Sequence, residues 1–383
     1  MDSFSIKTQV WVAVFCILYL FTHLINMPDI VRNALLVAPG LCAYIHYLYF
    51  AKPFAKITSL IFGLVISLFM TFSILYNHNA NFQNLLWIWS YMGLGLVLLR
   101  YGISVQLATI LVYLVGGVFA VYMIIGVPVQ SVIYGGSENN ISSICILSLI
   151  LYYLAYHHKR LKHFSYFKSD RKISDTLSYF PILFIGLIVV WSTSRAGLLS
   201  VFFLALGIYW VNKKTISVAN IIILCSIFVL LFVVFFVYDT FSFTNNIKEK
   251  YEKFGMQSSR IEIWSEYLSG LFLNVRNFVL GVNYESGDFP LLVHYKGNIH
   301  NSFLILHSKY GLIPFLLFIF LLLRTAIVSF KKGDRLIFIT LVAVFIRMSL
   351  DWIAFPGAFD ILIFYYVFKN PVKGIVAYYK RKR

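Results

Sequence analysis

Arg195 is the first residue in this sequence whose type and setting suggest chemistry. It lies between two apolar runs, in the stretch WSTSRAGLLS. The serines and threonine before it predict that a helix begins here and presents free backbone N–H groups and a positive dipole end. An arginine beside a helix N-terminus is a ready site for an anion, especially phosphate. The alternative is a cation at a membrane boundary that only reaches the lipid headgroups.

Arg260 is a second candidate site residue. It opens the stretch SSRIEIWSEYLSGLF, where apolar residues recur at helical spacing and predict an amphipathic helix outside the membrane. The pair Ser258 and Ser259 is suited to cap that helix. The alternative for Arg260 is a solvated arginine paired with Glu262 or Glu266.

His300 is the candidate general base. It lies where a long polar stretch returns to an apolar one, in NIHNSFLILHSKYGL. An imidazole accepts a proton near neutral pH, and the amide of Asn301 next to it is placed to orient the imidazole or a substrate hydroxyl. His294 and His307 lie nearby, but no cysteine or HExxH pattern accompanies the three, so the spacing does not favour a metal. A lone histidine with a structural role is the alternative.

Arg347 and Asp351 are spaced i, i+4 at the end of an apolar run, and Asp360 follows. Charges at such positions are costly unless they are paired, so an ion pair that locks a helix is the simpler interpretation. The second interpretation is that Arg347 and Asp351 line the site.

The composition predicts that a membrane bundle positions these residues. The 383 residues are 60% hydrophobic and 12% charged, with a mean hydropathy of +0.81, which leaves too few charges to cover a soluble globule of this size. We expect an all-α integral membrane protein. Apolar runs of spanning length predict about twelve transmembrane helices. They lie near residues 8–25, 34–50, 57–76, 85–99, 107–126, 141–157, 177–191, 198–212, 216–238, 311–324, 336–350 and 354–368.

The basic residues predict how the bundle is oriented. The net charge of +17 falls mainly in loops on one side of the predicted spans, a pattern typical of cytoplasmic loops and of contact with anionic lipid rather than nucleic acid. Both termini are then cytoplasmic. This arrangement predicts three parts, with spans 1 to 9 in residues 1–237, one large external loop at 238–310, and the last three spans with a basic tail at 311–383.

Three of these stretches together resemble the superfamily of O-antigen ligases and O-antigen polymerases. They are SRAGLL, SSRIEIW and HNSFLILHSKYGLIPF, and the resemblance covers about residues 191–330. It implies a metal-independent, inverting glycosyltransferase without a cofactor, located in a bacterial inner membrane and active at the periplasmic face. It further implies that Arg195 and Arg260 hold the undecaprenyl diphosphate of the glycan donor and that His300 activates the acceptor hydroxyl.

The two branches of the superfamily differ in their acceptor. A polymerase uses a second lipid-linked glycan, whereas a ligase uses the core sugar of lipid A. Ser302 and Phe303 follow the HN pair, where ligases often carry an acidic residue, so we favour the polymerase. A chain-length regulator and a flippase are candidate partners. A lipid-linked glycan flippase or other transporter is the alternative from a different class, although the repeats typical of transporters are weak here.

Overall fold

A computed structural model describes residues 3–77, 81–134, 138–164, 179–212, 260–283, 289–295 and 297–370. All regular elements within these ranges are helices. They are α1 (Ser3–Leu24), α2 (Asp29–Phe50), α3 (Pro53–Asn77), α4 (Gln83–Tyr101), α5 (Val105–Ile125), α6 (Val129–Val132), α7 (Glu138–Phe164), α8 (Phe180–Trp191), α9 (Arg195–Asn212), α10 (Arg260–Leu271), α11 (Val275–Leu280), α12 (Pro290–His294), α13 (Ser302–Tyr310), α14 (Leu312–Lys331), α15 (Arg335–Leu350) and α16 (Asp360–Lys369).

Six of the described helical segments are long and apolar enough to cross a membrane. They are Asp29–Phe50, Pro53–Asn77, Val105–Ile125, Asn139–His157, Arg195–Asn212 and Leu312–Lys331, and Val10–Leu24 and Phe180–Trp191 are shorter apolar helices. The expected class of all-α membrane protein therefore holds. The predicted span at 216–238 lies outside the described residues, so the number of twelve spans stays a prediction, as does the division into three parts.

Small residues allow the long helices to approach closely. A Cβ added to Gly40 on α2 would lie 2.0 Å from Ser90 Oγ on α4, and one added to Gly207 on α9 would lie 2.1 Å from Ile339 on α15. Such contacts replace the hydrophobic driving force that is missing between helices in lipid. The contact at Gly207 brings α9, which begins at Arg195, against α15, which carries Arg347.

The bundle has two chemically different ends. The helices α9 and α15 run antiparallel, because Arg335 at the start of α15 lies 5.1 Å from the ring centroid of Trp210 near the end of α9. We call the end with Arg335 and the His157–Asp334 pair the basic end. The opposite end, where α9 begins and α15 ends, is called the site end.

The region predicted as an external loop contains four short described helices, α10 to α13, which pack at the site end. The side chain of Asn77 at the end of α3 donates to the carbonyl of Gly281, and Ser73 donates to the carbonyl of Leu280 at 3.0 Å. These contacts join the loop helices to the bundle.

The predicted start of the last span was wrong. The last span was expected at 354–368, but the helix begins at Asp360. The Asp360 carboxylate accepts hydrogen bonds from the backbone N–H groups of Phe355 and Gly357, at 3.0 Å each, so these residues form a turn before the helix. The segment from Asp351 to Phe359 is therefore a non-helical connection between α15 and α16.

Candidate active site

Arg347 is the buried centre of the site end. Its side chain is completely buried, and its Nη1 lies 3.2 Å from Asp351 Oδ2. Its Nη2 donates to the carbonyl of Asn139 at 2.9 Å and to the hydroxyls of Ser142 and Ser143 at 3.0 and 2.8 Å. A buried guanidinium is tolerated when it has a carboxylate and several acceptors. The predicted i, i+4 pair is therefore confirmed, and it also binds the start of α7.

Asp351 connects Arg347 to His300. His300 Nδ1 lies 3.7 Å from Asp351 Oδ1, which is ion-pair range but longer than a hydrogen bond. Burial alone would raise the pKa of Asp351, but His300, Arg347 and Arg260 together lower it below its usual value. The carboxylate is therefore ionised at neutral pH. It can orient the imidazole and stabilise its protonated form.

The His300 ring has a buried edge and an open one. Nδ1 is buried against Asp351, while 25% of the side chain is exposed. If Nδ1 carries the hydrogen towards the carboxylate, Nε2 is the nitrogen left to accept a proton from a ligand. His300 has a φ of +50°, an uncommon left-handed conformation for a residue with a side chain.

Arg260 and Arg195 lie at the same end. Arg260 begins α10, is partly buried, and donates from Nη1 to the carbonyl of Leu350, next to Asp351. Burial lowers the pKa of Arg260, Asp351 opposes this, and the nearby positive charge of Arg195 lowers it further. Two guanidiniums at one end of the bundle favour the binding of an anion there. Pairing of Arg260 with Glu266 is excluded, because Glu266 instead accepts from the N–H groups of Leu291 and Leu292.

Ser194 explains why α9 begins where it does. Its hydroxyl accepts the N–H of Gly197 at 3.2 Å and thereby caps the helix that Arg195 opens. The predicted helix start is confirmed. Ser194 Oγ also lies 2.9 Å from Asn139 Oδ1 and 2.9 Å from Ser142 Oγ. The capping residue thus touches the same stretch of α7 that holds Arg347. The exposed side chain of Arg195 lies at the surface of this cluster.

Asn301 holds the polypeptide on both sides of the site. Its amide oxygen accepts the N–H groups of Phe303 and Leu304 and so caps α13, and its amide nitrogen donates to the carbonyl of Ser349 at 3.1 Å. The amide group has a second N–H, so its expected role in orienting the imidazole or a hydroxyl stays a prediction.

The other two histidines do not join His300. His294 is exposed at the end of α12, with its ring against Tyr295. His307 is buried, with Nδ1 2.7 Å from the Tyr267 hydroxyl and Nε2 2.8 Å from the carbonyl of Phe278. His307 therefore fastens α13 to α10 and α11. Among the described residues, no three His, Cys, Asp or Glu side chains are grouped to hold a metal ion.

The geometry brings together two arginines beside a helix start and a histidine with a buried aspartate. Residues 180–319 match the family model described as O-antigen ligase. The resemblance to the superfamily of O-antigen ligases and polymerases is thereby confirmed, and the match does not separate the two branches. No curated protein and no solved structure matches the chain. The segment that matches the O-antigen ligase family carries Arg195, Arg260 and His300, whereas Arg347 and Asp351 lie beyond it.

Several residues of this candidate site were missed in the sequence. Asn139, Ser142 and Ser143 receive Arg347, and Trp264 donates to the carbonyl of Ile299 at 2.7 Å. A signal for the first group exists in the polar run ENNISS, which opens α7 just before a long apolar stretch. Trp264 belongs to the apolar residues that recur at helical spacing in α10, and its indole N–H gives no signal in hydropathy.

Proposed function

We propose that this protein polymerises undecaprenyl-diphosphate-linked glycan repeat units at the periplasmic face of a bacterial inner membrane. The donor glycan is transferred to a hydroxyl of a second lipid-linked repeat unit, with inversion and without a metal ion. The observation that carries the proposal is the placement of Arg195, at the start of α9, and of Arg260, which donates to the carbonyl of Leu350, at the same end of the bundle as the His300–Asp351 pair.

The histidine and aspartate supply the base. His300 Nε2 takes the proton of the acceptor hydroxyl as its oxygen attacks the anomeric carbon of the donor sugar. Asp351, itself held by Arg347 at 3.2 Å, keeps Nδ1 as the donor nitrogen and stabilises the imidazolium. The proton leaves to water when the product departs.

The two arginines stabilise the leaving group of the reaction. The bond between the anomeric carbon and the diphosphate oxygen breaks as the new glycosidic bond forms on the opposite face, and the electron pair stays on the leaving diphosphate. Arg195 and Arg260 stabilise that growing negative charge, a role for which planar guanidiniums are well suited. A single displacement of this kind needs one base and no pair of catalytic carboxylates.

Ser302 favours the polymerase over the ligase. Its hydroxyl donates to the carbonyl of Asp351 at 2.7 Å and accepts the N–H of Ile353 at 3.0 Å. An ionised acid, which ligases often carry soon after the HN pair, cannot donate to that carbonyl. Transfer to the lipid A core is the alternative. It agrees with the name of the matching family, O-antigen ligase.

The proposed orientation has both termini in the cytoplasm and the site end in the periplasm. It rests on the basic residues at the opposite end. A reporter fused after Asn283 should therefore be periplasmic, and one fused after Lys168 cytoplasmic. Two fusions on the same side would contradict this orientation.

Deletion of the coding sequence in its native strain, followed by a lipopolysaccharide gel, tests the function. If the protein is a polymerase, lipopolysaccharide of the deletion strain should carry the core with a single repeat unit. The ladder of longer chains should return when the intact protein is supplied. Bare core with accumulated lipid-linked polymer would instead identify a ligase. An unchanged ladder would contradict both, and would favour a different surface polysaccharide or a transporter.

A further inference from the structure

The helix α10 makes three polar contacts along one face, two of them to the backbone of the site and one to the helix that follows His300. Arg260 donates to the carbonyl of Leu350, Trp264 Nε1 donates to the carbonyl of Ile299 at 2.7 Å, and the Tyr267 hydroxyl lies 2.7 Å from His307 Nδ1. Spacings of four and three residues place these side chains on one side of the helix.

Two of these contacts are made to the backbone directly before a residue of the proposed site. Leu350 precedes Asp351, and Ile299 precedes His300. The peptide between Ile299 and His300 is also where the backbone turns into the left-handed region, with a φ of +50° at His300. Conformations of this kind cost free energy and persist only when neighbouring groups hold them.

Several neighbouring groups hold the backbone around His300 in this conformation. The N–H of His300 donates to Asn298 Oδ1 at 3.0 Å, and Asn301 holds the carbonyl of Ser349 on the other side. The carbonyl of Ile299 is held by the Trp264 indole, and the Ile299 side chain is fully buried. The indole is thus the contact that α10 makes to the strained turn itself.

We infer that Trp264 is a positioning residue for His300, because its indole N–H holds the Ile299 carbonyl and so sets the turn from which the imidazole faces Asp351. The inference rests on the proposed role of His300 as the base. The same hydrogen bond links α10, which carries Arg260, to the backbone beside His300. A displacement of about 1 Å in such an arrangement can lower a rate by on the order of 100-fold.

The test is Trp264→Phe, which keeps an aromatic ring and removes the N–H. With purified protein in nanodiscs and lipid-linked repeat units as substrate, we expect kcat to fall roughly 10- to 100-fold while KM for the donor stays near the wild-type value. The matched control is Trp89→Phe on α4. Trp89 packs against Tyr44, and its indole donates to no residue that the structure describes. The control should keep the wild-type kcat.

A double variant separates positioning from other roles. In a His300→Ala background, adding Trp264→Phe should cause no further loss of residual transfer. An equal loss in both backgrounds, a change in KM alone, or a wild-type kcat for Trp264→Phe would each overturn the inference.

A readout independent of turnover keeps the inference testable if the proposed function fails. Diethyl pyrocarbonate labels accessible neutral histidines, and mass spectrometry of the peptides reports the rate for each one. Trp264→Phe should change the rate at His300 several-fold and leave the exposed His294 unchanged. Equal rates at His300 in the variant and the wild type would overturn the inference. Absence of glycan transfer by the wild-type protein, or full activity of His300→Ala, would instead contradict the proposed function.

Discussion

The two ends of the bundle each carry a histidine beside an aspartate, and the pairs are built in opposite ways. At the basic end, His157 Nε2 lies 3.4 Å from Asp334 Oδ2, and the histidine is the more buried partner, with side chains 10% and 23% exposed. At the site end the aspartate is the more buried partner, with 25% exposure for His300 and 7% for Asp351. An open imidazole on a buried carboxylate can exchange a proton with a ligand, whereas the reverse arrangement mainly joins two helices.

The arginines at the two ends also differ in their burial and in their hydrogen-bond partners. At the basic end, Arg100 is exposed and donates to the carbonyl of Phe50 at 2.8 Å, and Arg335 stacks on Trp210. At the site end, Arg347 is fully buried with four partners. Cations at a membrane boundary are ordinary, and burial with a dedicated set of acceptors is what distinguishes the site.

The largest expected difference between the ends is catalytic. His300→Ala should lower glycan transfer by about 10²- to 10⁴-fold, since it removes the general base. His157→Ala should keep most activity per folded molecule, because it removes only a helix contact. Transfer by purified variants in nanodiscs measures both. A wild-type rate for His300→Ala would contradict the assignment of the base.

Loss of Arg347 should have the largest effect on stability. Arg347→Met leaves the buried Asp351 carboxylate without its main partner and should destabilise the fold by about 3 to 5 kcal/mol. Arg335→Met at the basic end, which removes a partly exposed cation from Trp210, should cost about 1 kcal/mol. Thermal unfolding in nanodiscs compares the two. Equal melting temperatures would show that Asp351 does not depend on Arg347.

The two site arginines should be sensitive to geometry as well as charge. Arg195→Lys and Arg260→Lys keep the charge but lose the planar pair of donors, so each should weaken transition-state binding by about 2 to 4 kcal/mol. Arg100→Lys at the basic end is the matched control and should retain activity. The measurement is kcat/KM with normal amounts of membrane-inserted protein. Near-normal values for both site variants would argue against diphosphate binding there.

The smallest effect concerns pH. The lowered pKa of Asp351 means that its carboxylate stabilises the fold at pH values above its unfolded pKa of about 3.9, and that this contribution is lost as the pH falls through the lower folded value. The melting temperature of Asp351→Asn should therefore approach that of the wild type as the pH is reduced. The Asp334 pKa is also lowered, so Asp334→Asn should show the same convergence while leaving transfer at neutral pH intact. A difference in melting temperature between Asp351→Asn and the wild type that does not shrink as the pH falls would contradict this account.

Local patterns predicted most of the described helices. The start of α9 followed from the serines before Arg195, and the Arg347–Asp351 pair from its spacing. The partners of Arg347 could not be predicted, because Asn139 and Ser142 lie more than 200 residues away in the sequence. Sequence spacing likewise could not show that His307 has a structural role, because its hydrogen-bond partners, Tyr267 and Phe278, lie on other helices.

The turn before α16 was missed for a different reason. The stretch IAFPGAF is apolar enough to continue a predicted span, yet the Asp360 carboxylate binds the backbone N–H groups within it. Hydropathy records the polarity of side chains and carries no information on where a backbone hydrogen bond will go.

The Arg347 contacts also bear on how segments that match the O-antigen ligase family model can be exchanged between proteins. A segment equivalent to residues 180–319, exchanged between relatives, would bring its own arginines and its own histidine. The carboxylate behind that histidine, the guanidinium that holds the carboxylate, and the asparagine and serines that hold the guanidinium would all come from the host. The smallest exchangeable unit therefore runs from the start of α7 to the start of α16.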